Sequence, residues 1–292
     1  MKGNIVMSVN VTTSFVEQYS ANVQMLSQQM GSKLRAAVDV ESIRGKQSFF
    51  EQIGKTTAQL RTSRHGSTPQ IDMPHSRRAL TTATYEWADL IDDADKIRML
   101  IDPTSSYAKA AAAAMGRAMD SVIIAAALGT AKTGVSGGTS TALPSTQKIV
   151  HGSAGLTVAK LLSAKKILDE NDVDPSVKRY CVVSPEQIED LLNLTEVKSS
   201  DFNTVKALAQ GDINSFLGFE FITSNLLTAD ATPSRQVIAF AADGIKLGIG
   251  KDVTAKISER DDKSYSTQVY YCMDLGATRM EEEKVVEIAC NE

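Results

Sequence analysis

Histidine and cysteine are both scarce in this chain, and each shortage argues against a class of function. Its 292 residues hold three histidines, three cysteines and one tryptophan. Cys181, Cys272 and Cys290 are odd in number and far apart, without the paired spacing of a zinc site or a disulfide framework. They read as buried or incidental thiols. His65 and His75 stand among Arg64, Arg77 and Arg78, which would repel a cation, so no metal site is expected there. His151 falls in a linker-like stretch, and Ser184, Asp212 and Glu220 have no histidine near them in sequence, which argues against a nucleophilic triad. Long apolar runs are also missing. No window approaches the roughly 18 uninterrupted apolar residues of a membrane span, and the N-terminus lacks the apolar core of a secretory signal. Both Met1 and Met7 suit an initiator, and cytosolic synthesis is expected. Nor is charge of one sign in excess. With a formal net charge of -4 and no long run of like charge, a basic nucleic-acid-binding arm is excluded. Catalytic residues, cofactors and metal ligands are therefore all expected to be absent.

What the chain does have is one long alanine-rich stretch, DPTSSYAKAAAAAMGRAMDSVIIAAAL, from Asp102 to Leu128. Asp102 is a good N-cap and Pro103 suits the first helical position. Tyr107, Ala111, Met115, Met119, Val122 and Ala126 recur at three- and four-residue spacing, which predicts one apolar face on a long helix ended by Gly129. Alanine on the other faces lets neighbours approach closely, so this is a strut rather than a reactive site. Lys109, Arg117 and Asp120 read as solvated or ion-paired surface groups.

Around that strut the chain alternates between extended and compact stretches. Residues 8–50 predict an N-terminal arm with a helix carrying a thin stripe of Phe15, Tyr19, Val23, Leu26 and Met30. From Gln52 to Asp95 the sequence is polar and extended. Gly66, Pro69 and Pro74 break helices, and runs around Thr56–Thr62 and Leu80–Trp87 favour two strands. A two-stranded excursion is marginal alone in water, so it must lie on something, and a second copy of the chain is the natural candidate. Arg77 and Arg78 could pair across subunits with Asp89, Asp92, Asp93 and Asp95, or the two groups could form solvated faces.

Residues 129–146 read as a flexible linker. Gly129 and Gly134 have the spacing of a phosphate loop, but Val135 takes the lysine position. Residues 155–250 predict an α/β unit. It has helices at Leu156–Asn171, with Leu161, Leu162, Ile167 and Leu168 inward, and at Glu186–Leu194, capped by Ser184 and Pro185. Its strands are Tyr180–Val183, Phe219–Thr223, Gln236–Ala241 and Ile245–Ile249. Beyond Lys251 the alternation of Val253, Ala255 and Ile257, then Val269, Tyr271 and Met273, then Lys284–Ala289 is strand-like, with a turn over Ser258–Ser266. Glu281, Glu282 and Glu283 on a strand would point to alternating faces and serve as charged edge protection.

The phrases PHSRRALTTATYEWADLIDDADKIRMLIDP, VVSPEQIEDLL and FLGFEFITSN, and the ending from Ile245 to Ile288, come in an order that resembles the major capsid proteins of tailed bacteriophages. The resemblance implies an α+β fold of the Hong Kong 97 type. Its parts would be an N-terminal arm (1–51), an extended β-hairpin loop (52–98), a peripheral domain (99–151) with spine helix 103–128, an axial α/β domain (152–249), and peripheral C-terminal strands (250–292). It implies a structural protein that assembles into pentamers and hexamers of an icosahedral shell around double-stranded DNA. Portal, scaffolding or decoration proteins of the same virus would be partners, the DNA would be held weakly and without sequence preference, and no membrane would be involved. The long N-terminal scaffolding region that some members carry is not visible in the sequence, which leaves open whether a separate scaffold is used. The competing readings are a tail or tube protein, and an enzyme whose site is assembled from distant residues.

Overall fold

The computed structural model describes residues 28–91, 104–193, 215–229 and 234–292. In chain order its elements begin with β1 (Asp39–Ser42), β2 (Gln47–Ile53), β3 (His75–Thr81), β4 (Ala83–Ile91) and the long helix α1 (Thr104–Leu128). The short strands β5 (Ala131–Thr133), β6 (Thr139–Thr141) and β7 (Lys148–Ile149) follow, then α2 (Val158–Glu170), β8 (Arg179–Val183) and α3 (Pro185–Asn193). The chain closes with β9 (Ser215–Phe216), β10 (Phe219–Thr223), β11 (Ser234–Ala241), β12 (Ile245–Arg260), β13 (Ser266–Arg279) and β14 (Val285–Asn291). The stripe Phe15, Tyr19, Val23 and Leu26 of the predicted arm helix lies outside the described residues, as do Asp102 and Pro103.

Three sheets organise these strands. The first runs β1-β12-β13-β4, the second β7-β14-β11-β8-β10-β9, and the third β2-β3-β5-β6. Helix α1 lies on β13 and β4. Ala111, Met115 and Met119 are buried on the expected face, joined by Ile123, Ile124 and Ala127, while Val122 and Ala126 are half-buried. By length and composition Ser106–Leu128 could cross a membrane, but half of it is buried inside the fold, as befits a core helix. One continuous core joins α1, α2, the six-stranded sheet and the inner face of β13. A smaller cluster of Ile43, Phe50 and Leu80, with Met280 against it, sits under the root of the β2–β3 hairpin. Gly248 and Gly276 face each other across β12 and β13 at that root. A Cβ on Gly248 would stand 1.9 Å from the Ile43 side chain and one on Gly276 2.3 Å from the Thr81 carbonyl. The glycine pair clears the place where the hairpin crosses the sheet.

Local chemistry fixes the α/β unit. Thr157 caps α2, its side chain accepting from the Lys160 N–H at 3.3 Å. At α3 the Gln187 side chain reaches back to accept the Ser184 N–H at 2.6 Å, half of a capping box. Strand β9 turns into β10 through Leu217 and Gly218, both at positive φ, as a two-residue hairpin turn requires.

Several expectations are corrected. Residues 129–146 are not a free linker: β5 and β6 form a hairpin that extends the loop sheet through β3. Thr56–Thr62 is not a strand, and Leu80–Trp87 is broken at Thr82 between β3 and β4. Ile245–Ile249 does not complete the α/β sheet but opens β12 beside β13, whereas β14 does enter the α/β sheet, antiparallel to β11. The turn after β12 is shorter than Ser258–Ser266, since pairing continues to Arg260 and Ser266. Leu162 is exposed because the buried side of α2 is Leu161, Ala164 and Leu168.

Candidate assembly surfaces

The β2–β3 ladder ends where the Gly54 N–H bonds the Pro74 carbonyl at 2.8 Å. Between those residues the chain forms no strand and is exposed throughout. Leu60 is 88% exposed, and Ile71 and Met73 are also uncovered. Three apolar side chains thus stand in water on this segment. His65 is exposed on this loop, and His75 is exposed at the first position of β3. Among the described residues no three His, Cys, Asp or Glu side chains converge as metal ligands.

The root of the same loop is buried and charged. Arg78, read as either pairing across subunits or solvated, instead donates to Glu282 Oε2 at 2.5 Å within the chain, both residues being 8% exposed. The reason is strand parity: Arg78 faces inward over the sheet, whereas Arg77 faces outward, pairs with Glu51 and stacks 5.3 Å from the Phe49 ring. Asp89 accepts the Leu90 N–H at 2.8 Å, while Asp92, Asp93 and Asp95 lie outside the described residues. Glu282 is likewise no edge guard. It starts a short 3-10 turn, Glu282–Lys284, rather than a strand, and so turns inward. Its second neighbour is Arg279, fully buried, whose Nη2 is 3.7 Å from Glu282 Oε1. Arg279 donates from Nη1 to the Ala127 and Gly129 carbonyls, both at 2.8 Å, and from Nη2 to the Thr141 carbonyl at 3.1 Å. The Ala127 and Gly129 carbonyls lie at the end of α1, where a cation satisfies unpaired acceptors well, and the Thr141 carbonyl belongs to β6. Burial lowers the Arg279 pKa from its ordinary value. Two guanidinium groups and one carboxylate thus tie the loop root to the end of the long helix.

The middle of the same helix holds the arm. Asp120, read from sequence as a surface group, is fully buried. It accepts from Gln29 Nε2 and Ser32 Oγ, both at 2.5 Å, and from the backbone N–H groups of Lys33 at 3.0 Å and Leu34 at 3.1 Å. Four donors satisfy a carboxylate that burial would otherwise penalise heavily. Arg117 adds bonds to Gln28 Oε1 at 3.0 Å and the Gln29 carbonyl at 3.3 Å. Gly116 permits the approach: a Cβ there would lie 2.3 Å from the Gly31 backbone. Lys109 is exposed, as read. Sequence spacing gives little hint of this latch, because the donors lie about ninety residues from the acceptor.

The residues considered for catalysis do not converge. Ser184 Oγ donates to Glu292 at 2.6 Å, Glu220 pairs with Lys178 at 3.0 Å, and His151 Nδ1 accepts the Ser153 N–H at 3.0 Å. Asp212 lies outside the described residues.

A family model described as phage capsid protein matches residues 11–292. The chain belongs to this family. Solved structures similar to the capsid protein include the capsid of cyanophage P-SCSP1u, at 19% identity and a TM-score of 0.76, covering 97% of this chain and 95% of that one. A Mycobacterium phage Che8 structure follows at 19% identity and a TM-score of 0.71, covering 93% and 96%. The cyanophage Pam1 capsid matches at 12% identity and a TM-score of 0.68, covering 99% of both chains. No curated protein matches the sequence. The fold is the Hong Kong 97-like α+β fold of phage capsids, and the capsid protein is a structural component of the virion head shell.

Proposed function

We propose that this capsid protein builds the icosahedral head as pentamers and hexamers, and that residues 54–74 are the arm by which each copy grips its neighbour. One observation carries this reading: the loop has a root fixed by the buried Arg78–Glu282–Arg279 network and an end whose Leu60, Ile71 and Met73 have no cover. A rigid root aims the loop, and its apolar end gains from burial at roughly 25 cal/mol per Å² against another surface. The six-stranded sheet with α2 and α3 is the axial part, close to residues 152–249, and α1 with the β1-β12-β13-β4 sheet is the peripheral part. The enclosed double-stranded DNA is contacted weakly, since the chain carries a net charge of -4 and counterion release needs many cationic contacts. Portal, scaffolding and decoration proteins of the same virus are the further partners.

Deleting residues 58–72 leaves the Gly54–Pro74 closure in place and tests the loop's role. The variant should stay soluble, keep its circular dichroism and melting behaviour, and fail to form shells under electron microscopy. Normal shells from it would refute the reading.

A further inference from the structure

Cys272 differs from the other two thiols. Cys181 and Cys290 are sealed in the core, and burial pushes both thiols up, Cys290 to about 12. Cys272 sits on β13 beside a β-bulge, with register shifts between Ile249 and Lys251 and between Lys251 and Thr254 on β12. Each shift inserts one extra residue on β12, and the second leaves Lys251 and Thr254 both on the side of Cys272. Lys251 Nζ donates to the sulfur at 3.0 Å and Thr254 Oγ1 lies 3.3 Å from it. Those hydrogen bonds, Thr254 first and then Lys251, lower the thiol pKa and favour the nucleophilic thiolate. Asp274 stands opposite Lys251 in the ladder, yet the lysine's hydrogen bond goes to sulfur and not to that carboxylate. Lys251 itself is exposed, whereas Cys272 is buried, so the lysine end is the side from which a small oxidant approaches the sulfur.

We propose that Lys251 and Cys272 form an oxidative staple, a covalent Nζ–O–Sγ bridge closed across the bulge by peroxide. The sulfur attacks the O–O bond of one peroxide; an S–O bond forms, and the released hydroxide takes up the thiol proton, giving sulfenic acid and water. A second peroxide accepts two electrons as the N–O bond forms. One proton leaves the sulfenic hydroxyl, one leaves the amine, and this peroxide becomes two waters. In sum, one amine, one thiol and two peroxides give the bridge and three waters. A direct S–N bond would require the two atoms to close to bonding distance, whereas an inserted oxygen spans their separation nearly as it stands. The bridge would lock β12 to β13 at the base of the long hairpin that ends at Arg260 and Ser266.

The test treats the assembled full-length protein with hydrogen peroxide, then denatures it, alkylates free thiols, digests it and weighs the peptides. The expected product joins the Lys251 and Cys272 peptides with one oxygen more and two hydrogens fewer than their sum, and dithiothreitol releases it with a free thiol. Lys251→Arg should abolish the linked species and leave Cys272 to advance to sulfenic or sulfinic acid. The proposal is overturned if wild-type Cys272 stays fully alkylatable, ends as sulfinic acid with no linked peptide, or links through sulfur and nitrogen alone.

Discussion

A buried carboxylate with four donors is the feature that most changes the reading of individual residues. Asp120 looked like one more polar residue on a helix, and nothing within a few positions of it says otherwise. Its partners Gln29, Ser32, Lys33 and Leu34 come from the arm, so only tertiary structure makes the latch visible. Arg279 shows a signal that the strand pattern does carry. It has the same strand parity as Val269, Tyr271 and Met273, which all face the core side, and a cation at an inward position near a helix end calls for carbonyl partners. Asp120→Ala should strand several arm donors and cost about 1–3 kcal/mol of stability. Hydrogen exchange at residues 32–34 should accelerate while α2 and β11 stay protected. Unchanged exchange in the arm would show that Asp120 does not hold it.

Elements with strong periodicity were readable, and those built by pairing were not. The long helix, α3, β10 and β11 stand close to where alternation and caps placed them. The β5–β6 hairpin escaped notice because glycine, serine and threonine carry no hydrophobic pattern, and it is fixed instead by pairing to β3. Which sheet β12 and β14 join is likewise a matter of distant partners, beyond what alternation can encode. On α1 the alanines are not equivalent: Ala113 is 1% exposed and Ala112 faces solvent. Ala113→Leu should therefore destabilise the chain by about 1–3 kcal/mol through overpacking. Ala112→Leu should be nearly neutral in the same denaturant titration. Equal effects at both positions would contradict the packing described for the helix.

At the scale of the whole molecule, the order of parts made the shell-forming family legible, since arm, extended loop, long helix, α/β unit and returning strands follow one another along the chain. The anchoring of those parts was not, because both anchors join residues far apart in sequence. The arm is latched at Asp120 and the loop root is tied to the helix end by Arg78, Glu282 and Arg279. One helix thus anchors both the arm and the loop root, which suits the repeated contacts between copies proposed for the loop. Electron cryo-microscopy of the virion that carries this chain tests that claim most directly. The expected map is a closed icosahedral head in which this fold fills every lattice position and residues 54–74 of each copy lie on the next. A map that places the chain in the tail, or a head in which those residues touch only their own subunit, would contradict it.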